Sequence, residues 1–261
     1  MRHLLEAAMQ ILGTTTIRYF IIAGIPFLLF YKLLPVRFGK SKIQSKTARS
    51  GDFIREILHS MQTTVVFTFI ALIVLFSPLK QYTLIYDQPQ DYPLWWVPLS
   101  LLIGLIIHDT YFYWMHRLLH HKNIFKYTHL VHHKSTNPSP WTSYSFHFLE
   151  ACTESAVLLL LVFILPMHSI TIILFTVASF IINVYGHLGY EVAPKWFRHS
   201  FLFKILNTSI YHNMHHSKFK GNYSLYFRFW DRLLKTENPD YEKEYDRIQL
   251  RRFGINRQAN S

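Results

Sequence analysis

The sequence predicts an all-α integral membrane bundle of four to five spans, capped on its cytoplasmic side by a histidine-rich helical layer. Three observations carry that expectation. Half of the residues are hydrophobic and only 16% are charged, far from the balance of an ordinary soluble chain. Five apolar segments recur along the chain. Fourteen of the sixteen histidines lie between His108 and His216, mostly in short repeated patterns.

Arg18 to Leu34 and Thr63 to Leu79 are each near the minimum length for a spanning helix. The N-terminus lacks the basic region, short apolar stretch and small-residue cleavage site of a signal peptide, so the first segment reads as a retained span. Leu94 to Trp114 is long enough to span and opens with Trp95 and Trp96 at an interface. Ala156 to Pro166 needs Glu150 to Ser155 to approach a full span. Ser169 to Tyr185 follows directly after Pro166-Met-His168, which predicts a tight helical hairpin. Pro26, Pro98 and Pro166 are expected to kink or end helices locally. The chain divides into residues 1–93, with two spans and a basic loop; 94–236, with the histidine patterns; and 237–261, a charged, solvated tail, partly helical at most.

Charge orients the bundle. The formal net charge is +12, and the basic residues flank apolar runs, which suits anionic lipid headgroups better than nucleic acid. The loop from Pro35 to Ser60 carries Arg37, Lys40, Lys42, Lys46, Arg49 and Arg55. The loop from Lys80 to Pro93 has only Lys80 among bases, beside Asp87 and Asp91. The positive-inside rule puts the first loop in the cytoplasm and the second opposite, which brings all the clustered histidines to the cytoplasmic face. Cys152 is the single cysteine; it excludes an intrachain disulfide and cysteine-based zinc sites and reads as a small buried hydrophobe.

The histidines then carry the chemistry. His116 and His120 form an H-x-x-x-H; His129, His132 and His133, and again His212, His215 and His216, form H-x-x-H-H. Neutral imidazole is the commonest metal ligand, and residues three and four apart on a helix share a face. Eight such imidazoles are about what two metal ions need. In each H-x-x-H-H box the first and fourth residues are expected on one face. The adjacent histidine points about 100° away, so one box can reach two metals. His187, at the end of the last span, reads as a ninth ligand. Asp109 is expected to accept a hydrogen bond from a ligand imidazole. His108 either supports a ligand or caps a helix end, and His147 is a further supporting candidate. His121 and His199 read as peripheral, and His3, His59 and His168 as surface positions. No catalytic group beyond the metal ligands is called for. H-E-x-x-H, G-x-G-x-x-G, the P-loop and G-x-S-x-G are all missing. An all-nitrogen, thiolate-free site suits iron, zinc or copper.

At these residues the chain resembles the membrane fatty acid hydroxylase/sterol desaturase superfamily. The stretches that carry the resemblance are His108-Asp-Thr-Tyr-Phe-Tyr-Trp-Met-His-Arg-Leu-Leu-His120, His129-Leu-Val-His-His133, Ser143-Tyr-Ser-Phe-His147 and Tyr211-His-Asn-Met-His-His216, followed by Asn222-Tyr223 and Phe229-Trp-Asp-Arg232. The resemblance runs over roughly residues 95 to 236. It implies a non-haem di-iron oxygenase in the bilayer, with two Fe ions and O2 as co-substrate, that hydroxylates or desaturates a fatty acyl chain or sterol-like lipid. Carried over position by position, the ligands are His116, His120, His129, His132, His133, His212, His215 and His216, with His187 added. The fused cytochrome domain of some members has no counterpart here, so the resemblance implies a separate cytochrome b5-type or ferredoxin electron donor. Tyr111, Phe112, Tyr113, Trp114 and Trp141 are candidates for lining a lipid site. A zinc-dependent membrane hydrolase and a histidine-rich metal transporter are the alternatives. The first lacks a glutamate base, and the second needs polar ligands at mid-span.

Overall fold

The computed structural model describes residues 2–46 and 48–254. Four helices are long and apolar enough to cross a bilayer: α1 (Arg2–Phe27, continuing through Leu33), α2 (Ser50–Phe76), α3 (Trp96–Leu119) and α7 (Ser169–Gly186). Between α3 and α7 lie two short helices, α4 (Phe125–Thr128) and α5 (Leu130–His133), then α6 (Phe148–Ile164). At 17 residues α6 is only about 25 Å long. It returns into α7 as the expected hairpin, and Met167–His168 at its tip pairs in parallel with Ile85–Tyr86. α8 (Phe201–Ile205), α9 (Ser209–Lys218), α10 (Phe229–Leu233) and α11 (Tyr241–Phe253) complete a helical membrane bundle with a histidine-rich cap.

Several boundaries differ from the sequence reading. α1 begins at Arg2 and α2 at Ser50, because the amphipathic turns before each apolar run continue the helix into the bundle. At the start of α2 the Asp52 carboxylate accepts the Arg49 N–H at 2.9 Å and so closes the first turn. Pro26 does not end α1. The helix widens into a π-turn over Leu28–Leu33, one way to absorb a missing N–H donor. Pro98 sits in the first turn of α3, where its lost N–H has no helical partner to miss, and Pro166 follows the end of α6.

The described part of the expected solvated tail is a correction. Tyr241, Tyr245 and Ile248 of α11 are fully buried against Phe203, Ile210, Tyr211 and Met214. They sit at helical spacing among charged residues, which form the outer face. Arg228 is also fully buried: Tyr241 and Phe203 lie 4.4 and 5.1 Å from its guanidinium, which donates two 2.7 Å bonds to Glu237. Residues 255–261 of that tail lie outside the described residues.

The first two spans, which carry no recognisable motif, hold the histidine loop in place. Glu56 of α2 is fully buried and accepts the hydroxyls of Ser135 and Ser139, each at 2.6 Å, just after His133. The Tyr19 hydroxyl from α1 and the Ser60 hydroxyl from α2 both donate to the Trp141 carbonyl, at 3.1 and 3.2 Å. Replacing Glu56 with Leu strands two buried hydroxyl donors, at about 1–3 kcal/mol each. The Glu56→Leu protein should therefore unfold at a clearly lower temperature in detergent, and Glu56→Gln should recover most of the loss.

Candidate metal centre

Nine imidazoles converge in the cap as two adjoining groups. His116, His120, His129, His133 and His215 form one; His132, His187, His212 and His216 form the other. Within each, the ligand atoms lie within 4.8 Å of one another, so each group could hold a metal ion. α3 supplies His116 and, at its C-cap, His120; α5 and its N-cap supply the 129–133 box; His187 caps α7; α9 supplies the last three. Thr208 starts α9 by accepting the Tyr211 N–H at 3.3 Å, which sets the rotation of that helix.

The partition of the boxes departs from the sequence reading. His129 shares its group with His133 and not with His132, and His212 shares its group with His216 and not with His215. The four-residue spacing aligns better on a helix than the three-residue one, so the middle histidine of each box turns to the other group. The groups thus interlock through adjacent residues. The His133 and His216 rings, one from each, stack 4.9 Å apart.

Five imidazoles have their outer nitrogen already committed. Nδ1–H of His116 donates to the Tyr223 carbonyl at 2.7 Å, that of His215 to Gly221 at 2.7 Å, that of His187 to Asn183 at 2.8 Å and that of His216 to Ser135 at 2.9 Å. His129 Nδ1 meets the fully buried Glu150 carboxylate at 2.6 Å. With Nδ1 protonated, Nε2 carries a lone pair. Two pairs of such nitrogens face each other, His116 with His129 at 2.9 Å and His187 with His216 at 3.1 Å. No proton is left to bridge the second pair, whose Nδ1 atoms both face carbonyls, nor the first as long as Glu150 is ionised. Other Nε2 pairs lie at 3.0–3.2 Å.

Electrostatics keep these rings neutral. Burial first, then the charge each neighbouring imidazole would carry, holds His129, His132, His133, His212 and His216 well below the ordinary histidine range. His187 and His215 are pushed down to about 4 by burial, against the opposing pull of the carbonyls they bond. Neutral imidazoles with inward lone pairs are the form that binds a cation.

The expected supporting residues take other places. Asp109 accepts the backbone N–H groups of Leu225, Tyr226 and Phe227, at 3.1, 2.6 and 3.2 Å, and bonds no ligand imidazole. His108 pairs with the Tyr226 hydroxyl at 2.8 Å, one helical turn or more from the ligands on α3. His147 caps α6, where its Nδ1 accepts the Leu149 N–H at 3.2 Å. The carboxylate against a clustered imidazole is Glu150, which the sequence reading did not assign; its position three residues after His147, at the start of a helix, was the available signal. Asp231 was likewise missed as a clamp. It accepts the N–H groups of Tyr223 and Ser224 at 3.0 and 2.8 Å and the Thr236 hydroxyl at 2.6 Å, fixing the segment whose carbonyl bonds His116. Gly221 works beside it with φ +80°, and a Cβ there would stand 2.6 Å from the Thr236 carbonyl oxygen.

A cavity of about 500 Å³ opens among α1, α2, α6 and α7. At its inner end are Asn183, whose carbonyl bonds His187, and Phe146, whose ring lies 5.2 Å from that of His132. None of Tyr111, Phe112, Tyr113, Trp114 and Trp141 lines it. Tyr113 and Trp141 pack into the protein interior, while Trp114 faces outward.

A model of the fatty acid hydroxylase family matches residues 101–236. The chain is 30% identical over 152 residues to the Delta(7)-sterol 5(6)-desaturase ERG3B of Gibberella zeae, covering 58% of this chain and 46% of that protein. It is 32% identical over 157 residues to lathosterol oxidase of Rattus norvegicus, 59% of this chain and 51% of the relative, and 29% identical over 165 residues to methylsterol monooxygenase 1 of Gallus gallus, 62% and 55%. The chain therefore spans about half the length of the curated relatives it matches. No solved structure matches it significantly. With the family match covering residues 101–236 and every box within it, the chain belongs to the fatty acid hydroxylase family of the fatty acid hydroxylase/sterol desaturase superfamily.

Proposed function

We propose that this chain is a non-haem di-iron oxygenase that hydroxylates or desaturates a lipid drawn from the bilayer. One observation carries the metal reading: the Nε2 lone pairs of His187 and His216 face each other at 3.1 Å while both Nδ1 protons are spent on carbonyls, and those of His116 and His129 meet at 2.9 Å in the same way when Glu150 is ionised. Without a cation between them such pairs repel. A metal with nitrogen ligands at about 2.1 Å spaces neighbouring ligands by about 3 Å, which matches. Nine nitrogen donors in two adjoining groups favour a two-metal centre, and the family match favours iron among the metals that a thiolate-free set suits. The relatives' names describe desaturation, oxidation and monooxygenation of sterols, all of them oxidations of a lipid.

Two iron ions held by these histidines would supply the strong oxidant that an unactivated C–H bond requires, using O2 and electrons from a separate cytochrome b5-type or ferredoxin donor. The chain's own share is to hold, orient and shield. Glu150 and the carbonyls of Tyr223, Gly221, Asn183 and Ser135 fix the tautomer and direction of five of the nine rings. Near-complete burial of the histidines keeps bulk water from the centre. The cavity leads apolar substrate toward the second histidine group and restricts which carbon reaches it. Residues 94–236 carry this chemistry, and the basic Pro35–Ser60 loop orients the cap toward the cytoplasm.

The decisive test is lipid profiling by mass spectrometry of cells with and without the protein, combined with metal analysis of the purified chain. Two iron ions per chain and an O2-dependent lipid product are expected. His132→Ala and His215→Ala, one from each group, should abolish the product while the protein stays in the membrane; turnover in both variants, or a zinc-only protein active without O2, would sink the reading. Glu150→Gln leaves the ligand set whole but weakens the partner of His129, so metal affinity or activity should fall about 10–100-fold. The depressed histidines also set a pH dependence for the metal-free protein. Below the ordinary value of 6.5 the unfolded chain takes up protons that the folded clusters refuse, so stability is complete above about pH 6.5 and falls as pH drops toward 4. Thermal unfolding of the metal-free protein from pH 7.5 to 4.5 should show that decline.

A further inference from the structure

Arg18 is a guanidinium halfway along a 32-residue apolar helix, and it lines the cavity. A charge at such depth is expensive and normally has an ionic partner or a task. Arg18 has no acidic partner within ion-pair reach among the described residues. Its Nη1 donates to the Thr176 hydroxyl of α7 at 2.8 Å, the neutral Tyr144 hydroxyl stands beside it as a second partner, and its Nε is buried with no acceptor at all. Glu154 also lines the cavity but forms no ion pair with it. The fork of donors is therefore under-used and faces a largely apolar space.

The geometry points to Arg18 as the anchor for the anionic head of a single-chain lipid, whose alkyl chain runs along the cavity toward the histidine centre. This rests on the lipid-oxidation reading above and narrows its substrate. A carboxylate fits better than a phosphate monoester, since one compact charge matches one guanidinium and costs less to bring to mid-membrane. A neutral sterol hydroxyl would leave the arginine's charge uncompensated. Thr176, the fixed partner of Arg18, stands eleven residues before His187 on the same helix, about 16 Å along its axis. The carbon brought to the centre thus lies far from the head group, in the distal part of the chain.

The test is equilibrium binding to the purified, metal-loaded full chain in lipid nanodiscs. Parinaric acid, a fluorescent polyene fatty acid, is compared with its methyl ester, and hexadecyl phosphate and cholesterol serve as competitors. The acid should bind about ten-fold or more tighter than the ester, as a charge-assisted bond implies. Arg18→Gln should erase that preference, with ester affinity and metal content kept. Equal binding of acid and ester, a preference that survives Arg18→Gln, or stronger competition from either the phosphate or cholesterol than from palmitate overturns the assignment. The wild-type comparison of acid with ester decides the matter even if the variant fails to accumulate. Binding is read without turnover, so an intact acid preference in a protein that oxidises no lipid rejects the chemistry and spares the anchor, and the converse rejects the anchor alone.

Discussion

Facing lone pairs are the constraint on which the rest of this structure depends. Nine imidazoles packed out of water repel one another whether protonated or not: as cations by charge, and as neutral rings wherever two Nε2 lone pairs meet. Holding them at 2.9–3.2 Å rests on five rings that are pinned from behind. The pins come from distant parts of the chain: the carbonyls of Tyr223 and Gly221 after α9, Ser135 after α5, Asn183 inside α7 and the carboxylate of Glu150 on α6. Any element that shifts relative to the others turns a ring, so the cap tolerates little independent motion.

Four buried carboxylates meet that demand by organising backbone and loops. Glu150 touches a clustered imidazole directly. Glu56 holds the chain after His133 through two serine hydroxyls, and Asp109 and Asp231 grip consecutive stretches of the 223–227 segment. Carboxylates suit this work because each can accept several donors at once, and buried backbone N–H groups must find acceptors. The Phe229-Trp-Asp-Arg232 stretch thereby acquires a physical role. It closes over the segment that orients His116, and Arg228 just before it bonds Glu237 and packs on Tyr241 of α11.

The cavity and the histidine centre are joined by shared residues and not by proximity alone. Asn183 lines the cavity while its carbonyl bonds His187, and Phe146 lines it while packing on His132. The cavity wall thus touches two members of the second histidine group, His187 through Asn183 and His132 through Phe146. The first group includes His120, the least buried of the nine.

Much of this was legible from the sequence alone, and for clear reasons. Apolar runs report spanning helices because a bilayer leaves the backbone no other partner, and His116/His120 or His212/His216 report a shared face because four residues nearly complete a helical turn. The sequence by itself determined a helical membrane bundle and nine histidines able to meet. Tertiary structure alone decided which imidazole joins which group, that Glu150 and not Asp109 meets a clustered imidazole, that Tyr241, Tyr245 and Ile248 turn a charged tail into a docked helix, and that Arg18 faces a cavity. Each of these depends on how helices far apart in the chain are rotated against one another. Local spacing sets the face a residue shares with its neighbours; only packing settles what that face meets.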